Sequence, residues 1–285
     1  MRTGSAEETG SAEETATGAG TRPLLLLHGI GAPLETWDPL RDRLAHRTTI
    51  AFDVPGTGGS PVSWIPTTIP ALARIARALL DDFGIERADV LGYSFGGAVA
   101  QELAWRTPER VGALVLAATS CGWGSVPGDP AALAALVAPF PVHLLPPGSG
   151  SLLALSGDHG TRAQFGRADT AWAARPPNPL GVWWQAVAMG AWTSAPYLAR
   201  ITAPTLVLAG ADDRIVPSTN ARLLARRVPN TTLHVTPKAG HFALLADDPG
   251  ESGDAVADFL DAQDPPAPDP LAQDPLAQAR GLLST

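Results

Sequence analysis

A chain of 285 residues with 45% hydrophobic content can bury one substantial core or two small ones. Its 28 acidic residues against 20 basic ones give a net charge of −8, which leaves no electrostatic footprint for nucleic acid or an anionic membrane. The single cysteine, Cys121, excludes an intramolecular disulfide framework, and at the end of an apolar run it reads as a buried thiol.

In chain order, residues 1–20 come first. They hold four glutamates and no apolar stretch, so no export signal is expected. No uncharged apolar run approaches the ~18 residues that span a bilayer. The expected location is therefore the cytoplasm, with no transmembrane segment. GSAEET at 4–9 recurs at 10–15, and DPLAQ at 269–273 recurs at 274–278. With so few bulky apolar side chains, residues 1–20 and 262–285 are expected to be disordered tails.

Between the tails, continuous apolar runs alternate with helical patterns. Leu24–Leu27, Thr49–Phe52, Ala88–Leu91, Ala113–Ala117, Thr205–Ala209 and Thr232–Val235 read as strands covered on both faces. Residues 67–83, 95–106 and 218–228 have helical spacing. The alternation predicts a mostly parallel sheet with flanking helices, built from 21–120 and 198–261. From 121 to 197 no sheet strand is evident. Five of the eight tryptophans lie there, and the segment reads as a helical cap inserted between two strands.

Four short motifs fall at strand ends. His28-Gly29-Ile30-Gly31 follows the first strand and offers exposed backbone N–H groups. Gly92-Tyr93-Ser94-Phe95-Gly96 lies between a strand and a helix, the setting of a strained turn that lifts a serine hydroxyl above a sheet edge. Asp212-Asp213 follows the strand Thr205–Ala209, and His241 lies in a loop after the last strand. A serine hydroxyl needs a base, and the base needs a carboxylate to orient it. The expected roles are Ser94 as nucleophile, His241 as base and Asp213 as the orienting acid, with Asp212 kept as the alternative. Ile30 N–H and Phe95 N–H are expected to receive the oxyanion of acyl transfer. His28 is expected to brace its loop. His46, His143, His159 and His234 are expected to be structural. No cofactor and no metal is expected.

These residues resemble the α/β-hydrolase superfamily over about 22–261. A narrower resemblance is to intracellular medium-chain-length polyhydroxyalkanoate depolymerases. It is carried by Ala51–Ser60, Leu116–Ser120 with Val126-Pro127-Gly128, Trp184-Gln185 through Ser194, Pro204–Gly210, Asn220–Arg226 and Val228-Pro229-Asn230. The resemblance implies a serine esterase that cleaves stored polyesters to 3-hydroxy acids or oligomers through an acyl-enzyme, at the granule surface. Trp123, Trp183, Trp184 and Trp192 would then offer apolar area to the substrate, although packing of the cap explains tryptophans equally well. Members of the fold begin with a β-hairpin, which has no counterpart in the pattern of residues 1–20 and is expected to be missing. Phe95 and His28 stand where the depolymerases commonly have tryptophan and asparagine. A small-molecule carboxylesterase, lactonase or carbon–carbon bond hydrolase stays open as the alternative reading. A non-catalytic ligand receptor of the same fold is the remote one.

Overall fold

The computed structural model describes residues 12–15, 20–136, 157–158 and 162–264. Seven strands form one sheet: β1 (Ala12–Thr15), β2 (Leu24–Leu27), β3 (Thr49–Phe52), β4 (Ala88–Tyr93), β5 (Val111–Ala117), β6 (Thr205–Gly210) and β7 (Thr231–Thr236). Their spatial order is β1-β3-β2-β4-β5-β6-β7, and every pairing is parallel except β1 with β3. The six strands read from the sequence are all present, several of them one or two residues longer.

Successive side chains of a strand point to opposite faces, and here each face meets its own core. Leu25, Leu27, Ile50, Phe52, Val90, Leu114, Leu116 and Val207 face α2 (Ile69–Asp82), α3 (Phe95–Arg106) and α7 (Thr219–Arg227). Leu24, Leu26, Ala51, Leu91, Ala113, Val115 and Leu206 face α1 (Asp38–Arg43) and α8 (Gly250–Gln263). Burial on both sides is why the strands are continuous apolar runs rather than alternating ones. The helix boundaries have local causes. Thr68 caps α2 by accepting from Ala71 N–H at 3.3 Å, and Pro70 occupies its first turn.

The tail expectation needs correcting at both ends. β1 pairs antiparallel along the edge of the sheet, with Ala12 opposite Phe52 and Thr15 opposite Thr49. Its sequence, AEET, has no apolar alternation to announce it, because an edge strand is held by backbone groups that any residue supplies. Ala12 packs on the core, and Glu13 reaches Arg41 at 3.4 Å. Among the described residues it is the one strand ahead of β2, so half of the expected gap is filled. At the other end, Asp264 accepts from Arg47 at 3.1 Å and ties the end of α8 to the core. The repeat at 269–278 lies outside the described residues.

Between β5 and β6 the described residues form α4 (Pro130–Leu136), α5 (Gly166–Ala174) and α6 (Pro179–Gly190). The two ends of this insertion meet in an antiparallel bridge between Gly122 and Thr193. Ser194 N–H donates to the Cys121 carbonyl at 2.9 Å there. Cys121 is buried, with Sγ 3.2 Å from Ser125 Oγ. No helix among the described residues is long and apolar enough to cross a membrane.

Candidate active site

Ser94 sits between the end of β4 and the start of α3, with φ 52° and ψ −114°. A positive φ at a residue with a Cβ stores about 1–3 kcal/mol of strain and persists only where its surroundings hold it. Two glycines make that possible. A Cβ at Gly92 would lie 2.6 Å from Ala100 Cβ, and one at Gly96 would lie 2.0 Å from the Leu27 carbonyl oxygen. The backbone of the turn therefore packs directly on α3 and on β2. Ser94 N–H donates to the Ala117 carbonyl at 2.9 Å, and its own carbonyl accepts from Gly97 N–H at 3.0 Å and Thr119 Oγ1 at 2.7 Å. Thr119 lies in the stretch Leu116–Ser120 that carries the resemblance, but nothing local to it announces a bond to Ser94.

The loop after β7 brings His241 to the serine. Its Nε2 lies 3.0 Å from Ser94 Oγ, and its Nδ1 lies 2.8 Å from Asp213 Oδ2. The other carboxylate oxygen, Asp213 Oδ1, accepts from Ile215 N–H at 2.9 Å and Val216 N–H at 2.8 Å. An ionised carboxylate only accepts, so Nδ1 carries the proton and Nε2 is left to accept from the serine hydroxyl. Ser94, Asp213 and His241 are 8%, 5% and 2% exposed. Asp212 is exposed, with its N–H on the Ala239 carbonyl at 2.9 Å. The structure thus brings together the three residues singled out in the sequence, and it leaves the neighbouring aspartate outside.

Two further groups fix the histidine. Tyr93 hydroxyl donates to the His241 carbonyl at 2.9 Å. Burial, then the nearby carboxylates of Asp213 and Asp158, push its pKa well above the usual tyrosine value and keep it a donor. Asp158, from the insertion, accepts from Gly240 N–H at 3.1 Å and from Phe242 N–H at 2.9 Å, one on each side of His241. Neither partner was legible in the sequence. Tyr93 reads only as a motif residue, and Asp158 stands 82 residues before the first N–H it binds.

Phe95 opens α3, so its N–H has no acceptor within the helix and lies at the positive end of the helix dipole. Ile30 lies in the turn after β2. Its N–H donates to no group among the described residues. The turn packs on the serine, since a Cβ at Gly29 would lie 3.5 Å from Ser94 Cβ. His28 is buried, with Nδ1 2.9 Å from the Gly29 carbonyl. Burial favours the neutral ring and lowers its pKa, against the opposing pull of the Asp53 carboxylate.

Beside this centre lies a cavity of about 660 Å³. Its lining is mainly apolar and includes Ile30, Trp123, Leu133, Met189, Ile215 and Val216. Asn220 closes one side by a reciprocal pair with Val126, accepting from its N–H at 2.8 Å and donating to its carbonyl at 2.8 Å. The four tryptophans expected at the substrate separate. Trp123 lines the cavity and is 77% exposed, and Trp183 is 57% exposed on the outer face of α6. Trp184 donates to the Ser63 carbonyl at 3.2 Å. Trp192 does not fit the expectation: it is 7% exposed and donates to Glu102 Oε2 at 2.9 Å, so it packs the base of the insertion. Of the other histidines, His46 lies 3.0 Å from Asp261, whereas His143 and His159 fall outside the described residues.

The family model described as alpha/beta hydrolase fold matches residues 22–248. A poly(3-hydroxyalkanoate) depolymerase from Ectopseudomonas oleovorans is 40% identical over 235 residues, covering 78% of this chain and 79% of that protein. A 2-hydroxy-6-oxononadienedioate/2-hydroxy-6-oxononatrienedioate hydrolase from Cupriavidus pinatubonensis is 30% identical over 80% of this chain and 83% of its own length. Among solved structures, a thermophilic esterase from Thermogutta terrifontis superposes with a TM-score of 0.73 at 26% identity, covering 92% of this chain and 98% of that one.

Proposed function

The chain belongs to the alpha/beta hydrolase fold family, and we propose that within it the chain is a serine-dependent ester hydrolase acting on aliphatic polyesters of 3-hydroxyacyl units. The observation that carries the chemistry is the hydrogen-bonded line from Ser94 through His241 to Asp213, ending beside an apolar cavity. The choice of polyester is supported by the relative named a poly(3-hydroxyalkanoate) depolymerase, 40% identical over most of both chains.

In this reading Ser94 Oγ attacks the ester carbonyl while His241 Nε2 takes the hydroxyl proton. Asp213 stabilises the imidazolium that results. The carbonyl oxygen becomes an oxyanion and is received by Ile30 N–H and Phe95 N–H, two backbone donors in place before the charge develops. Collapse breaks the ester bond, and His241 returns the proton to the departing 3-hydroxyl of the next unit. A water molecule gives its proton to His241 and attacks the acyl-enzyme, releasing a 3-hydroxy acid or oligomer and restoring Ser94. The cavity lined by Trp123, Leu133 and Met189 takes the aliphatic side chains. Such a polymer is an insoluble store, so the reading puts the enzyme at a granule surface in the cytoplasm.

Two measurements test it. A fluorophosphonate probe should label wild-type protein at Ser94 and leave Ser94→Ala unlabelled; unlabelled wild type would end the serine-hydrolase reading. Dispersed medium-chain polyester should be cleared alongside p-nitrophenyl esters. Turnover of the soluble esters without clearing would make the chain a small-molecule esterase of the same mechanism.

A further inference from the structure

The turn that presents Ile30 is not held by the sheet alone. Gly31, the next residue, has φ 68°, and both polar groups of its backbone are met by side chains of the insertion. Its N–H donates to Gln185 Oε1 of α6 at 3.0 Å, and its carbonyl accepts from Trp172 Nε1 of α5 at 3.0 Å. Pro177 and Val182 pack on the same glycine, since a Cβ there would lie 3.4 Å and 3.3 Å from them. Within the turn itself, the described residues add the Ala32 N–H to Gly29 carbonyl bond at 3.2 Å and the His28 ring on that same carbonyl.

Gln185 is 1% exposed, and the orientation of its amide is forced. An N–H can only donate, so Oε1 must face Gly31. That leaves Nε2 buried without a partner among the described residues. An orphaned amide is destabilising, and an apolar side chain of the same size would avoid it. The acceptor given to Gly31 is what this amide supplies. Resting on the serine-hydrolase reading above, we infer that Gln185 is a positioning residue. It holds the Ile30–Gly31 peptide while Trp172 holds the Gly31–Ala32 peptide beside it, so that Ile30 N–H stands where the oxyanion develops only while the insertion is seated on the turn. Without the lock, a peptide beside a glycine at positive φ rotates readily. Rotation swings the Ile30 carbonyl and displaces the neighbouring donor.

The test compares wild type, Gln185→Leu, Trp172→Phe and the double variant, each intact. Three quantities are read: p-nitrophenyl butyrate kinetics, the second-order rate of fluorophosphonate labelling, and Tm. A misplaced oxyanion donor should lower kcat about tenfold to a hundredfold in Gln185→Leu, with KM within about threefold of wild type. Labelling should slow in parallel, because the phosphonyl oxygen uses the same donors. The double variant should be little worse than the weaker single one, since both side chains hold the same residue, Gly31, one at each of its two peptides. A rise in KM at unchanged kcat would make Gln185 a pocket wall and overturn the inference. So would a fall in Tm at unchanged kcat per folded molecule, or full additivity of the two substitutions. Wild type that is not labelled overturns the serine-hydrolase reading itself, whereas labelled wild type with unaltered variants overturns the positioning role alone.

Discussion

Asp212 and Asp213 follow the same strand, and one residue of difference sends them into unlike surroundings. Asp213 is buried with three donors on its two oxygens, one of them the His241 ring. Asp212 is exposed. Asp213→Asn should lower kcat for a p-nitrophenyl ester about 10³- to 10⁴-fold by permitting the wrong histidine tautomer, and Asp212→Asn should stay within about threefold. The opposite ranking would assign the acid to Asp212. His28 carries the pH prediction. Burial holds its folded pKa below the ordinary 6.5, so the unfolded chain takes up the proton first as pH falls. Its contribution to stability is complete above pH 6.5 and is lost as pH falls through the lower folded value. His28→Gln should therefore flatten the decline of Tm below pH 6.5, followed by thermal melts. Parallel curves for the two proteins would place the acid sensitivity elsewhere. At this scale the sequence pointed to Ser94, His241 and Asp213 because each stands at a strand end in a recognisable motif. It could not point to Asp158, Gln185 or Thr119, whose partners are far along the chain, nor tell buried Trp192 from exposed Trp123.

At the scale of elements, the strand–turn–helix around Ser94 is the part most completely written into local sequence. The apolar strand, the flanking glycines and the small residues of α3 each meet a contact seen in the structure. Gly92 lies against Ala100, and Gly96 lies against Leu27. The edge strand is the opposite case. Ala12–Thr15 has no strand pattern and is made by pairing with β3. Its physical service is to cover an edge that would otherwise offer unpaired N–H and C=O groups to another molecule. Removal of residues 1–19 should lower the concentration at which light scattering reports aggregation. The kcat of the remaining monomer should stay within about twofold, since β3 and β2 separate β1 from the strand that carries Ser94. A truncated chain that stays as monodisperse as the full one would show that the strand protects nothing. α6 shows a third relation between pattern and place. Its sequence is apolar nearly throughout, yet Gly181, Val182, Gln185 and Ala188 face inward, whereas Trp183 and Val187 face out. A helix apolar on every side does not declare which stripe is buried.

Across the whole molecule, the sheet supplies the serine, the histidine and the carboxylate, and the insertion between β5 and β6 supplies what holds and surrounds them. Trp172 and Gln185 grip the turn of Ile30 and Gly31, Asp158 grips the histidine loop, and Trp123, Leu133 and Met189 shape the cavity. The sequence by itself determined the parallel α/β layering, because strands buried on both faces must be continuous apolar runs and parallel neighbours need helical crossovers. It also determined Ser94 and His241 and narrowed the acid to Asp212 or Asp213, because a strained turn needs glycines and a strand end leaves its next side chains at the sheet's edge. Only the tertiary structure decided the edge strand, the packing role of Trp192 and the grip of the insertion on both loops. Those features rest on contacts between residues far apart in the chain, which no local pattern of hydrophobicity or turn chemistry encodes.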